Sequence, residues 1–407
     1  MTARPLIAAL VLLAAPACGQ RGGEAAFAVR DSAGIAVAES SAPAWGDVPA
    51  WRLAREPAVD IGAADGAPET EFYAVRGAAR LSDGRIVVAD GGSSTVRWYA
   101  PDGAFLFQRG GEGSGPQEFA NMRRATLHRL DGDTVAVVEG ERVARFDGAG
   151  SRSDALAPGL ASMGGVVPLG EGRWAGSGTF DFMAMESGER RDTFPLLVTT
   201  EGSAAIDTVG RIPGPYRVLN VGTDGGGAIT SVEIHQAAFS GGADLAAWEG
   251  TILVAPATEH GLRHRDPDGT LRRIVRWRGP DLAITGTDRQ AWIEATVANR
   301  LNAPGNPLAG DEAAVRRGAE RTPFPAEKPA YREVRADPAG NAWVELDRLI
   351  GDDVERHLVL DPVGRLLGEV VFPERFRTLE VGADYVLGVW RDELDVEHVR
   401  LYVLEKS

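Results

Sequence analysis

One cysteine, Cys18, stands in 407 residues. A lone thiol closes no internal disulfide, so a disulfide-stapled scaffold is excluded. Basic residues are also short, with 43 Lys and Arg against 58 Asp and Glu and a net charge of -15. Phosphate neutralisation needs a basic face, so this balance excludes a general nucleic-acid binder and leaves proteins or small ligands as partners. The six histidines do not cluster. His260 and His264 have helical i, i+4 spacing but fall on a predicted hairpin, and no metal-ligand set can be chosen from spacing alone. Residues 110–115 are rich in glycine, yet no helix pattern opens after them and no Lys-Ser/Thr follows, so they fit a connection better than a phosphate cradle. Ser114 and Ser240 lack the strand-to-helix elbow of a nucleophilic serine. Beyond the N-terminus there is no apolar run of spanning length.

What the chain does have is glycine (51) and proline (24), the marks of many turns, and 44% hydrophobic residues, enough for a sizeable core. At the N-terminus a weakly basic head precedes an apolar run of about ten residues, Leu6 to Ala15, the length of a secretory signal rather than a span. Cys18 follows the small residues Ala15, Pro16 and Ala17. This stretch resembles a bacterial lipobox, which implies a signal peptide over 1–17 and lipidation of Cys18. The same residues would also serve as an ordinary cleavage site with an incidental cysteine. Lipidation would tether the protein to a membrane surface in the cell envelope, periplasmic or on the cell surface, with the rest of the chain soluble. Residues 18–50 then read as a tether and a short hairpin.

From 79 to 119 the chain writes out a whole structural unit. Asp83-Gly84 is a turn, Ile86 to Val88 a strand, Val96 to Tyr99 a second, and Pro101-Asp102-Gly103 turns into a third at Phe105 to Phe107. Three antiparallel strands leave two open edges and too little core to stand alone, so the unit needs copies. Copies recur at about 45 to 50 residues, the period of propeller blades. The second has its turns at Asp131-Gly132 and Asp147-Gly148. The third is degenerate, with strands expected at 194–200 and 206–212 and an insertion from Thr179 to Arg191. The fourth is clear around Trp248 to Trp277, the fifth spans Tyr331 to Phe372, and the sixth ends at Leu404 without an outer strand. Residues 51–61 read as an outer strand with no inner strands. Pairing the two removes the open edges. The expected fold is therefore all-β, a six-bladed β-propeller over 51–407 closed by an N-terminal strand.

Between 286 and 321 the period changes to that of two helices. Thr287 with Gln290 fits a capping box, and Trp292, Ile293, Thr296, Val297 and Leu301 share one side. This insertion is expected to cover part of the channel mouth.

The units around Asp83 to Asp90 and Arg145 to Gly148, with Val386 to Asp395 at the end, resemble NHL-type repeats and the six-bladed propeller lipoproteins of bacteria. The resemblance implies a fold and says little of chemistry. Aligned on their turn glycines, the units share an arginine: Arg76, Arg124 and Arg332 lie eight positions before Gly84, Gly132 and Gly340, and Arg377 has a similar place. If inner-strand starts surround the axis, these arginines form a basic ring suited to a carboxylate or phosphate. The competing reading pairs each with an acidic neighbour such as Glu71, Glu118 or Glu333. Glu71, Glu118, Glu233 and Asp244 precede predicted inner strands and are further candidates. The expected role is a monomeric binding scaffold for a protein or small anionic ligand, without a cofactor. The alternative is a hydrolase or lyase with axial Ca²⁺ or Zn²⁺.

Overall fold

The computed structural model describes residues 26–64, 66–179, 186–302 and 311–406. The leader and Cys18 lie outside these residues. Turns that open on an aspartate followed by glycine, directly or after two residues, punctuate the chain, and four of them work in the same way: the aspartate carboxylate accepts the backbone N–H two residues on. Asp83 takes Arg85 (3.1 Å), Asp102 takes Ala104 (3.1 Å), Asp268 takes Thr270 (2.8 Å) and Asp361 takes Val363 (3.0 Å). Glycine is required where such a turn meets its neighbour. Gly269 has φ +88°, and a Cβ there would stand 1.9 Å from the Val209 carbonyl oxygen.

Between the turns lie short strands that pair into six sheets among the described residues. Sheet 1 contains Val75–Arg80, Ile86–Asp90, Thr95–Tyr99 and Phe105–Gly110; sheet 2 runs from Thr126–Arg129 to Arg152–Leu156. Sheet 5 runs from Tyr331–Ala336 to Leu366–Glu374. All three have four antiparallel strands in chain order.

Sheet 3 departs from the pattern. Its hairpin is long, Gly188–Thr200 with Ile206–Thr223, and a fifth strand, Ile229–Gln236, is exposed throughout. The strands expected at 194–200 and 206–212 are thus parts of longer ones, whose pairing continues to Gly188↔Leu219. Sheet 4 starts at Asp244–Trp248 and ends at Leu271–Trp277, where the N-terminal hairpin joins it. Ile35–Ser40 pairs parallel with Leu271–Trp277, and Phe27–Ser32 becomes the edge. Sheet 6 contains Phe376–Val381, Tyr385–Arg391 and Glu397–Lys406. Its last strand pairs with Trp51–Leu53 (Leu404↔Leu53) and with Val59–Ile61 (Val399↔Ile61).

Apolar clusters fill the space between successive sheets. Sheets 1 and 2 share Trp98, Val135, Val137 and Phe146. Sheets 2 and 3 meet at Val143, Leu160 and Trp174, and sheets 3 and 4 at Leu196, Ile212 and Val254. Sheets 4 and 5 share Leu262, Trp277, Tyr331 and Val344; sheets 5 and 6 share Trp343, Val359, Phe372 and Tyr402. Sheet 6 then packs on sheet 1 through Leu387, Val399, Ile86 and Tyr99. Carboxylates stitch the first strands together, because each such strand has one edge whose N–H groups no strand pairs. Glu397 accepts Val75 N–H (2.8 Å), Glu380 accepts Arg80 (2.7 Å) and Asp244 accepts Val334 (2.8 Å).

Two helices, α1 (Gly286–Asn302) and α2 (Glu312–Glu320), lie between sheets 4 and 5 in the chain. Val297, Val315 and Ala319 form their own small core with Trp292, Ile293 and Leu301. The capping box is not at Thr287 and Gln290. Thr285 Oγ1 accepts Asp288 N–H (3.1 Å) and Asp288 accepts Thr285 N–H (2.9 Å), so the cap falls two residues earlier. Among the described residues no helix is long and apolar enough to cross a membrane.

Candidate functional site

The first strands of all six sheets converge on one cavity of 1060 Å³. Its wall includes Arg76, His128, Asp244, Arg335, Arg377 and Glu380, and it reaches into the turns after the first strands at Asp131, Glu171 and Glu249. The helices join a last strand to a first strand, so they emerge at the other end of the strands. Among the described residues neither helix lines the wall. α1 is instead held to the chain before sheet 5 by Lys328 and Asp288 (3.0 Å) and by Trp292 edge-on to Phe324 (5.3 Å).

Six arginines line the cavity, and four of them face acids. Arg129 meets Glu380 and Asp133 (3.5 Å each), Arg173 meets Glu171 (3.7 Å), and Arg145 and Arg335 bond to Glu201 and Glu333. Arg76 and Arg377 differ. Arg76 Nε donates to the Ala125 carbonyl (3.2 Å) and Arg377 Nη2 to the Val75 carbonyl (3.0 Å); among the described residues neither forms a salt bridge, although Glu397 and Glu333 act on Arg377 from farther off. The first strands of sheets 6 and 1 set them side by side at the seam where the last sheet meets the first. Burial pushes the Arg377 guanidinium below its ordinary range. Burial also holds His128 down to about 4, hence neutral, and lifts Asp244 up to about 6, with Glu333 adding to the rise.

The other two arginines of the expected ring lie elsewhere. Arg124 is exposed at the end of a single turn, Met122–Arg124, ahead of the first strand of sheet 2. Arg332 is exposed and points across its sheet to Glu345 (3.9 Å). Neither is on the cavity wall. Of the acidic candidates, Asp244 lines the cavity. Glu233 sits exposed on the outer strand of sheet 3, and Glu71 contributes its carbonyl oxygen to Arg97 (2.8 Å). Glu118 folds back into the glycine-rich connection, where its carboxylate accepts Gly115 N–H (2.8 Å); an anion cradle there is filled by the chain's own anion.

Behind Glu333 and Arg335 lies a polar cluster that spacing did not reveal. Cross-strand register places Glu333, Glu345 and His357 in one row across sheet 5. Glu345, Glu355 and His357 each bring a ligating atom within 4.8 Å of the others, all buried. Arg348 reaches both carboxylates at 3.4 Å, and Glu355 also accepts Thr378 N–H (3.1 Å) and Oγ1–H (2.8 Å) from sheet 6. Burial, with Glu355 and Glu333 adding, pushes the Glu345 carboxyl up to about 7, and burial pushes His357 down. A cation could use this donor set only by displacing Arg348. As it stands the group is an ion-pair network that ties sheet 5 to sheet 6. A visible trace in the sequence was the charge carried by these strands, Arg332, Glu333 and Arg335 in one and Glu355, Arg356 and His357 in the other.

No family model matches the chain, and no curated protein matches it. Among solved structures it is similar to a protein described as exported from Bacteroides fragilis, at 10% identity and a TM-score of 0.45, covering 91% of this chain and 100% of that one. A virginiamycin B lyase from Staphylococcus aureus is similar at 9% identity and a TM-score of 0.37, covering 86% and 99%. A gluconolactonase from Xanthomonas campestris is similar at 12% identity and a TM-score of 0.40, covering 82% and 87%. Likeness of this degree carries no activity across; the description above rests on strand pairing and packing alone.

Proposed function

We propose that the six sheets are the blades of a β-propeller closed by the strands at 51–61, and that the protein is a binding scaffold that takes a small anionic ligand in its axial cavity. The sequence of seams, with sheet 6 packed on sheet 1, supports the ring. The observation that carries the ligand class is the pair Arg76 and Arg377. Four cavity guanidiniums are neutralised by acids, while these two spend one donor each on a carbonyl and keep the rest for a ligand. Acids elsewhere on the wall repel an anion, so its charged group is confined to this seam and its body extends along the cavity. Under this reading Arg124 and Arg332 belong to the rim and contribute at most long-range attraction. The leader-like N-terminus and Cys18 support a scaffold held outside the cytoplasm on a lipid anchor, where it would also meet an envelope protein.

The test is calorimetric titration with succinate and with a neutral control of equal size, succinamide. Arg76→Ala with Arg377→Ala should abolish succinate binding, and binding that survives in the double variant overturns the assignment. The enzymatic alternative rests on the Glu345, Glu355 and His357 donor set. It requires stoichiometric Ca²⁺ or Zn²⁺ in purified protein that is lost in Glu355→Gln.

A further inference from the structure

A second concavity, of 400 Å³, lies between sheets 3 and 4, with Arg191, Asp192, Thr193, Arg211, Thr258 and Arg263 in its wall. Arg191 is half-buried, and its Nη1 donates to the carbonyls of Gly214 (3.0 Å) and Gly241; its other nitrogens have no hydrogen bond among the described residues. The Arg211 side chain is exposed and has neither a hydrogen bond nor an ion pair among those residues. Arg263 shares Glu259. Asp192, the one carboxylate in the wall, is already held by Arg190 (3.2 Å) and Arg217 (3.1 Å) from outside it. The wall of this pocket therefore carries three guanidiniums and one carboxylate, itself already held from outside, with Glu259 on Arg263 and Glu327 acting on Arg191 from farther off.

In a chain of net charge -15 such a surplus is conspicuous, because like charges held together in a half-buried site repel and lose hydration. An oxyanion relieves both costs. Guanidinium forks match the geometry of phosphate and carboxylate oxygens, and the hydroxyls of Thr193 and Thr258 can donate to the same oxygens. We propose that this pocket is an anion site, separate from the axial cavity, for a small soluble molecule bearing a phosphate or carboxylate group, held between Arg191, Arg211 and Arg263. Strand geometry makes it possible: the long hairpin of sheet 3 supplies Arg191, Thr193 and Arg211, and the second turn of sheet 4 with the strand after it supplies Thr258 and Arg263.

Inorganic phosphate is the probe, titrated calorimetrically into the full chain. Arg211 has no internal partner, so Arg211→Glu leaves the fold intact, which an unchanged unfolding midpoint verifies. It should weaken phosphate binding by at least about tenfold, the worth of one charge-assisted fork. Arg263→Ala should weaken it by a smaller factor, because Glu259 already shares that guanidinium. Phosphate binding that is indifferent to Arg211→Glu overturns the proposal. So does binding that is lost only in Arg377→Ala, which would put the anion in the axial cavity. Capture of the protein by phosphatidylglycerol vesicles with no binding of free phosphate also counts against it, since the site would then read a surface rather than a soluble molecule. Failure of the axial assignment, seen with succinate and the Arg76 and Arg377 variants, leaves this result untouched.

Discussion

The seam between sheets 1 and 2 and the seam between sheets 5 and 6 occupy equivalent places and are built from opposite materials. The first is apolar at its centre, with polar contacts such as Ser82 to Asp133 and Arg85 to the Gly148 carbonyl at its margins: Trp98 stacks on Phe107 (4.9 Å), meets Phe146 edge-on (5.5 Å) and packs among Val87, Val96, Met122 and Val137. The second has an apolar outer part around Trp343 and Phe372, and an inner part of Glu333, Arg335, Glu345, Arg348, Glu355, His357 and Thr378. Apolar packing is indifferent to pH and tolerant of partner identity. A buried polar network is neither, because each member left unpaired costs its full desolvation. One architecture thus accommodates a seam that only holds and a seam that also responds.

The largest effect should come from the apolar seam. Trp98→Ala empties a site that the backbone cannot collapse and should cost about 3–5 kcal/mol in urea unfolding. A loss under about 1 kcal/mol would mean that this seam carries little of the stability. Next comes Glu355→Gln, which keeps an acceptor for Thr378 but removes the charge facing Arg348; about 1–3 kcal/mol is expected by the same measurement. If the polar seam were only a filler, this change would be neutral.

A pH series sharpens the contrast. The Glu345 carboxyl, held up to about 7, keeps its proton in the folded chain where the unfolded chain, titrating near 4.5, has lost it. Unfolding releases that proton, so this group's contribution to stability falls as pH rises from about 4.5 to about 7 and is constant above. His357 has the opposite sign: burial holds it below its ordinary value of 6.5, so it withdraws stability as pH falls beneath that value. Comparing the chain with Glu345→Gln from about pH 5 to about pH 8 isolates the carboxyl, and the variant should lack the decline with rising pH. Identical profiles would refute the assignment. The smallest effect belongs to an exposed pair, Arg52 with Glu405 (2.7 Å), where Arg52→Ala should cost less than about 1 kcal/mol and less still in high salt.

Turn chemistry made the strands legible. Asp-Gly punctuation and two-residue alternation locate most strands because both are local, and the two helices follow from their own apolar side, although the cap at Thr285 and Asp288 was displaced by two residues. Sheet 3 was legible only near its axis: Ile229–Gln236 has no buried face, so no alternation of burial marks it. The docking of residues 27–40 on sheet 4 was invisible for another reason, since a hairpin carries no local sign of the edge it will join. At the cavity, counting back from turn glycines located the starts of first strands but not which way the arginines there would face. Arg76 and Arg377 reach the wall; Arg124 ends a turn, and Arg332 looks toward Glu345. The Glu345 network needed three strands in register, and register is a property of the folded sheet.

Strands separated by nearly the whole sequence meet at the last sheet, as Arg52 with Glu405 illustrates at a separation of 353 residues. Synthesis delivers residues 51–61 long before 397–406. Until the final segment emerges, two early strands have no place to bind and must be kept from aggregating. Completing this sheet depends on long-range pairing rather than on local turns, the kind of contact that slows folding. Removing the final segment by a proteolytic nick or an early stop codon would strand both ends at once, making those ten residues the latch of the whole molecule.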